Sequence, residues 1–109
     1  MEQKNAVDRR QAHRFDPSDI PSLESVHLGE GPGMTLINIS RSGALIETQR
    51  QMSPGSSVSL RIVTEEVVYL IKGQILRCHV HSIDKAVIYR CAIAFDEDFT
   101  KLPLDQEAD

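Results

Sequence analysis

The amino-acid sequence predicts an all-β fold: a six-stranded antiparallel β-barrel with a flexible N-terminal arm over residues 1–16 and a short helix near the C-terminus. Three observations predict it. Beyond Asp16-Pro17 and Pro21 the chain becomes a series of short runs rich in Val, Ile, Leu and Thr, separated by turn residues, which is the signature of a small barrel or sandwich. Helical periodicity is scarce in those runs. Finally, 109 residues with no Trp fit one compact domain with a modest aliphatic core.

The elements follow in order. Residues 1–14 are polar and charged without apolar periodicity, so they read as an arm that is mobile when nothing is bound. The barrel domain is assigned to residues 17–109. Strands are expected near Leu23 to Leu28, Met34 to Ile39, Ala44 to Thr48, Ser57 to Val63, Val67 to His81 and Val87 to Phe95, the long fifth run bending at Gly73. Gly29-Glu30-Gly31-Pro32-Gly33 and Ser53-Pro54-Gly55 are turns, because Pro restricts φ and Gly tolerates positive φ. The last hairpin turns near Asp84 and Lys85, which sets Cys78 opposite Cys91 and aims Val87, Tyr89, Cys91, Ile93 and Phe95 inward. Phe99 to Leu104 is the expected closing helix.

Charge narrows the function. The net charge of −4 argues against a protein that coats nucleic acid by charge alone, since such binding draws on a broad basic surface. The positive charge is concentrated in the arm, where Lys4, Arg9, Arg10 and Arg14 face Glu2 and Asp8. The tail from Asp96 carries Glu97, Asp98, Asp105, Glu107 and Asp109 against Lys101. No run approaches the roughly 20 apolar residues that span a bilayer, and the N-terminus lacks the apolar core of a signal peptide, so no membrane insertion and a cytoplasmic location are expected.

Catalytic and metal chemistry find little support. Cys78, His79, His81 and Cys91 have ligand identities suited to zinc. On a strand, however, Cys78 and Val80 point one way and His79 and His81 the other, so the four cannot converge. The cysteines read as reduced core residues. No Gly-x-Ser-x-Gly elbow and no phosphate-binding loop ending in Lys-Ser or Lys-Thr is present. The acidic clusters read as solvated faces, and nothing demands an enzyme or a cofactor.

Two short motifs remain. Arg10-Gln11-Ala12-His13-Arg14, preceded by Arg9, offers planar guanidinium forks that match phosphate oxygens and equally the O6/N7 edge of guanine. His13 reads as an exposed spacer. Asn38-Ile39-Ser40-Arg41-Ser42-Gly43 joins the second and third strands. Its short polar side chains can brace a turn or reach a base edge, and Gly43 admits backbone that other residues resist. Alone, each motif also fits a solvated tail or a plain β-turn.

Together the two motifs resemble those of the PilZ domain family, RxxxR on an N-terminal segment followed by D/NxSxxG on a six-stranded barrel. The resemblance runs from Arg9 through the strand Tyr89 to Phe95. It implies a receptor or adaptor for cyclic di-GMP, with Arg10 and Arg14 on phosphates and guanine, and with Asn38, Ser40 and Gly43 forming the surface against which a guanine rests. Arg9 would add a third guanidinium for a stacked pair of nucleotides. Where many members read Gly-Ile-x-Phe, this chain has Ala92-Ile93-Ala94-Phe95. A further contact from the barrel wall falls near Leu76 or Arg77, the sequence leaving open which face that strand offers.

In the implied mechanism, ligand orders the arginine arm against the barrel and changes the surface shown to a separate effector protein. An alternative is a degenerate PilZ-like module that binds protein without nucleotide. A small RNA-binding barrel is the third class, but it needs a basic groove and stacking aromatics, and the chain offers only Phe15, Tyr69, Tyr89, Phe95 and Phe99.

Overall fold

The computed structural model describes residues 13–101. After a 3-10 turn at Pro17–Asp19 come six strands: β1 (Leu23–Leu28), β2 (Thr35–Ile39), β3 (Gly43–Thr48), β4 (Ser57–Thr64), β5 (Val68–Ser82) and β6 (Ile88–Phe95). They form one antiparallel sheet in the order β1-β4-β5-β6-β3-β2. The sheet curls until its two edges nearly meet. Met34 N–H donates to the Val26 carbonyl at 2.9 Å, and His27 bridges Gly33. The β1–β2 loop allows this approach because Gly29 takes φ +59°. His27 then holds the loop: its Nδ1 lies 2.9 Å from the Gly31 carbonyl, which can only accept, so Nε2 is left to accept from the Ser25 hydroxyl at 2.8 Å.

Alternate residues of each strand fill the interior. Ile39, Ile46, Leu60, Ile62, Ile75 and Cys91 are the largest fully buried side chains, and Phe15, Ile20 and Phe99 close the core from outside the six strands. No helix among the described residues is long and apolar enough to cross a membrane.

All six strands lie within a residue or so of their expected positions, and three details differ. Val87 precedes β6 and is exposed, whereas Cys91 and Ile93 are buried and Tyr89 and Phe95 pack against the core from its margin. Val80 and Ile83, at the same end of the hairpin, are exposed as well. The long strand β5 changes partner at Gly73 and Gln74, pairing with β4 before them and with β6 after. Its register slips come later, around Leu76 and His81. Gly73 marks a close approach: a Cβ there would collide with the Ala94 carbonyl oxygen.

The expected closing helix is corrected. Phe99 to Lys101 are not helical, and Leu102 to Leu104 lie outside the described residues. The Phe99 N–H donates to the Arg41 carbonyl at 2.8 Å, and its buried ring meets Tyr69 and Phe95 edge to face, with centroids 5.5 and 6.3 Å away. A backbone tied across to the β2–β3 turn is not free to coil.

Candidate functional site

The site begins where the arm meets the barrel. Phe15 donates its N–H to the Ile39 carbonyl at 2.7 Å and accepts from the Ile39 N–H at 2.9 Å, so the segment joins the outer edge of β2 as a one-pair extension of the sheet. The Phe15 side chain is buried, and the His13 ring leans on it at 4.4 Å between centroids. Phe15, placed at the end of the arm by the sequence, is thus the peg that holds it. Alternation turns its neighbour Arg14 outward. There the Arg14 guanidinium donates from Nη1 to Asn38 Oδ1 at 2.9 Å. The second arginine of the first motif and the first residue of the second motif therefore touch, 24 residues apart in the chain. Arg9 and Arg10 lie outside the described residues, Arg10 four positions upstream of Arg14.

The β2–β3 turn is rigidly braced. Ser40 N–H donates to the Gly43 carbonyl at 2.8 Å, and the Ser40 hydroxyl also reaches that carbonyl, at 3.4 Å, while accepting from the Ser42 N–H at 3.3 Å. Ser40 is only 3% exposed, so its hydroxyl works on the turn itself. From outside, the Phe95 N–H donates to the Ser42 carbonyl at 2.9 Å, and Phe99 holds the Arg41 carbonyl. Gly43 has its own reason: a Cβ would overlap the Ile93 carbonyl oxygen, so β3 and β6 can meet this closely only without one. The Arg41 side chain projects into solvent from this fixed turn.

Strand register extends the site across the outer wall. Asn38 pairs with Leu45, Leu45 with Ala92, and Ala92 with Arg77. The neighbouring residues Ile39, Ala44, Cys91 and Ile93 are buried, so these four occupy one outward row. At about 4.8 Å per strand the row is about 14 Å long. Its middle, Leu45 and Ala92, is apolar, and both ends carry a guanidinium, Arg14 at Asn38 and Arg77 at the far end. The face left open for Leu76 or Arg77 is thereby resolved. Cys78 pairs with buried Cys91, so Arg77 looks outward, and Leu76 occupies the register slip beside it. Sequence alone missed this because the slip breaks simple alternation.

Arg90, one row away, is already committed. It grips the Glu47 carboxylate through Nε at 3.2 Å and more closely through Nη2, and His81 Nε2 lies 3.4 Å from the same oxygen. His81 thus leans toward Glu47 and Arg90, and no metal-binding cluster of His, Cys, Asp and Glu occurs among the described residues. An open pocket of about 500 Å³ lies against Met34, Thr48, Arg50 and Ile88, and neither Arg14 nor the Asn38 to Gly43 turn lines it.

Comparison with known proteins agrees with this geometry. No curated protein and no solved structure matches the chain. The PilZ domain matches residues 8–105, a span that includes both motifs and all six strands. That family binds cyclic di-GMP and serves as a ligand-binding or adaptor domain, not a catalyst. The chain belongs to the PilZ domain family.

Proposed function

We propose that this protein is a receptor for cyclic di-GMP that grips the nucleotide between its arginine arm and the outer wall of the barrel. The observation that carries the reading is the contact of Arg14 with Asn38, which joins the two motifs at one place on the surface. Arg14 and Arg10 supply charge-assisted hydrogen bonds to phosphate oxygens and to guanine, and Arg9 adds a third guanidinium. Asn38 offers an amide to a base edge. Ser40 and Gly43 contribute through shape, one bracing the turn and the other letting β3 lie close to β6. The apolar pair of Leu45 and Ala92 provides a floor for a flat base.

Binding would draw the arginines upstream of the Phe15 peg onto this wall, at a cost in chain entropy that the ionic hydrogen bonds offset. The resulting surface is the one offered to an effector protein. Isothermal titration of the purified protein with cyclic di-GMP, with GTP and cyclic GMP as controls, tests the reading. Saturable heat from the dinucleotide alone supports it, and the stoichiometry distinguishes one nucleotide from a stacked pair. Absence of binding would instead support a protein-interaction module that does without nucleotide.

A further inference from the structure

Inside the wall that carries the candidate site, Cys78 of β5 and Cys91 of β6 stand directly opposite each other in the ladder, and both are free thiols. Cys91 is fully buried and donates its S–H to the Cys78 sulfur. Cys78 is partly open to solvent, and the Met52 N–H is also aimed at its sulfur, at 3.5 Å. We propose that Cys78 and Cys91 form an oxidation site at which a hydroperoxide converts the two thiols into a disulfide joining β5 to β6.

The backbone already satisfies the reach of that bond. Directly opposed residues of an antiparallel pair have Cα atoms about 4.5–5.5 Å apart. A disulfide spans about 4.4–6.8 Å, so the paired backbones stand within its reach. The difference in exposure assigns the roles. Cys78, the more exposed residue of the two, attacks one peroxide oxygen through its sulfur and the O–O bond breaks, giving Cys78 sulfenic acid and a first water. The Cys91 sulfur then attacks the Cys78 sulfur and the S–O bond breaks, the departing hydroxide taking up the Cys91 proton as a second water. Two thiols lose two electrons in all, and one hydrogen peroxide becomes two waters. Burial first, and then the neighbouring Cys78, push the Cys91 thiol up to about 12, so Cys91 is not the group that meets the peroxide first.

Position gives the bond its consequence. Cys78 follows Arg77 and Cys91 precedes Ala92, so the staple lies immediately behind the outer row, facing the core. It ties two strands of the wall without occupying the nucleotide surface, and it does not depend on nucleotide binding.

The test uses the full chain. The protein is treated with a stoichiometric amount of hydrogen peroxide, unreacted thiols are capped with N-ethylmaleimide, and trypsin cuts after Arg77, Lys85 and Arg90, which separates the two cysteines onto different peptides. The expected result is a linked pair of peptides beginning at Cys78 and Cys91, abolished by dithiothreitol. The oxidised protein should also melt several degrees above the reduced one, because the cross-link restricts the unfolded chain. A disulfide-linked dimer, over-oxidised Cys78 beside a freely alkylated Cys91, or two thiols that remain alkylatable after treatment would each overturn the proposal. Cys91→Ser should stop at the sulfenic acid, trapped by dimedone, and the peptide map of the unaltered protein decides the matter should that variant fail to fold.

Discussion

Two turns of this barrel contrast sharply. The β2–β3 turn, Ser40 to Ser42, is tied from within by the Ser40 hydroxyl and from outside by the N–H groups of Phe95 and Phe99. At the β5–β6 turn, Ile83 is 70% exposed and Val87 40%, and no backbone hydrogen bond from another element reaches it among the described residues. Both join antiparallel strands, yet only the first is a platform. A recognition surface must be held in shape before its ligand arrives, since any freedom it retains has to be removed on binding. The chain after β6 supplies that rigidity by running back under the motif.

The contrast can be broken or sharpened experimentally. The largest effect is expected at the ligand contact: Arg14→Ala removes a charged donor from the platform and should weaken cyclic di-GMP binding by about 2–3 kcal/mol, roughly 30- to 150-fold, while leaving the melting temperature near that of the parent. Calorimetry with a parallel thermal melt checks both halves, and unchanged affinity would sink the nucleotide reading. Gly43→Ala comes next. Its methyl group must displace the Ile93 carbonyl, at a cost of about 1–3 kcal/mol of stability measured by urea unfolding.

A third effect appears with pH. The folded state holds the Cys91 proton more tightly than the unfolded chain, whose thiol has the ordinary value of 9.0. The stabilisation is therefore fully present below about pH 9 and is lost as pH rises toward about 12. Urea midpoints should fall more steeply above pH 9 in the parent than in Cys91→Ala. The smallest effect belongs to the other turn: Ile83→Ser should change stability by no more than about 0.5 kcal/mol. A large loss there would mean that the hairpin tip is as structurally committed as the motif turn.

Much of this was legible in local sequence. Strand positions follow from runs of β-branched and aliphatic residues, and the turns from Gly and Pro, because these signals depend on each residue's own backbone preferences. The opposition of Cys78 and Cys91 could be counted back from the hairpin turn even though one register slip intervenes, between Val80 and Ser82. The expected closing helix does not begin at Phe99, because its N–H and ring are used by Arg41, Tyr69 and Phe95, contacts that no local signal reveals.

Within the candidate site the division is similar. The sequence by itself determined the residue types: guanidinium groups for phosphate and guanine, and a polar turn with a glycine where β3 meets β6. Only the tertiary structure decided that Phe15 pegs the arm to Ile39, that Arg14 then meets Asn38, that Ser40 faces inward, and that Arg77 ends the outer row. Residue chemistry is local and can be read one position at a time. Which side chains share a face depends on pairing between strands far apart in the chain, and that pairing is fixed by how the whole barrel buries its core.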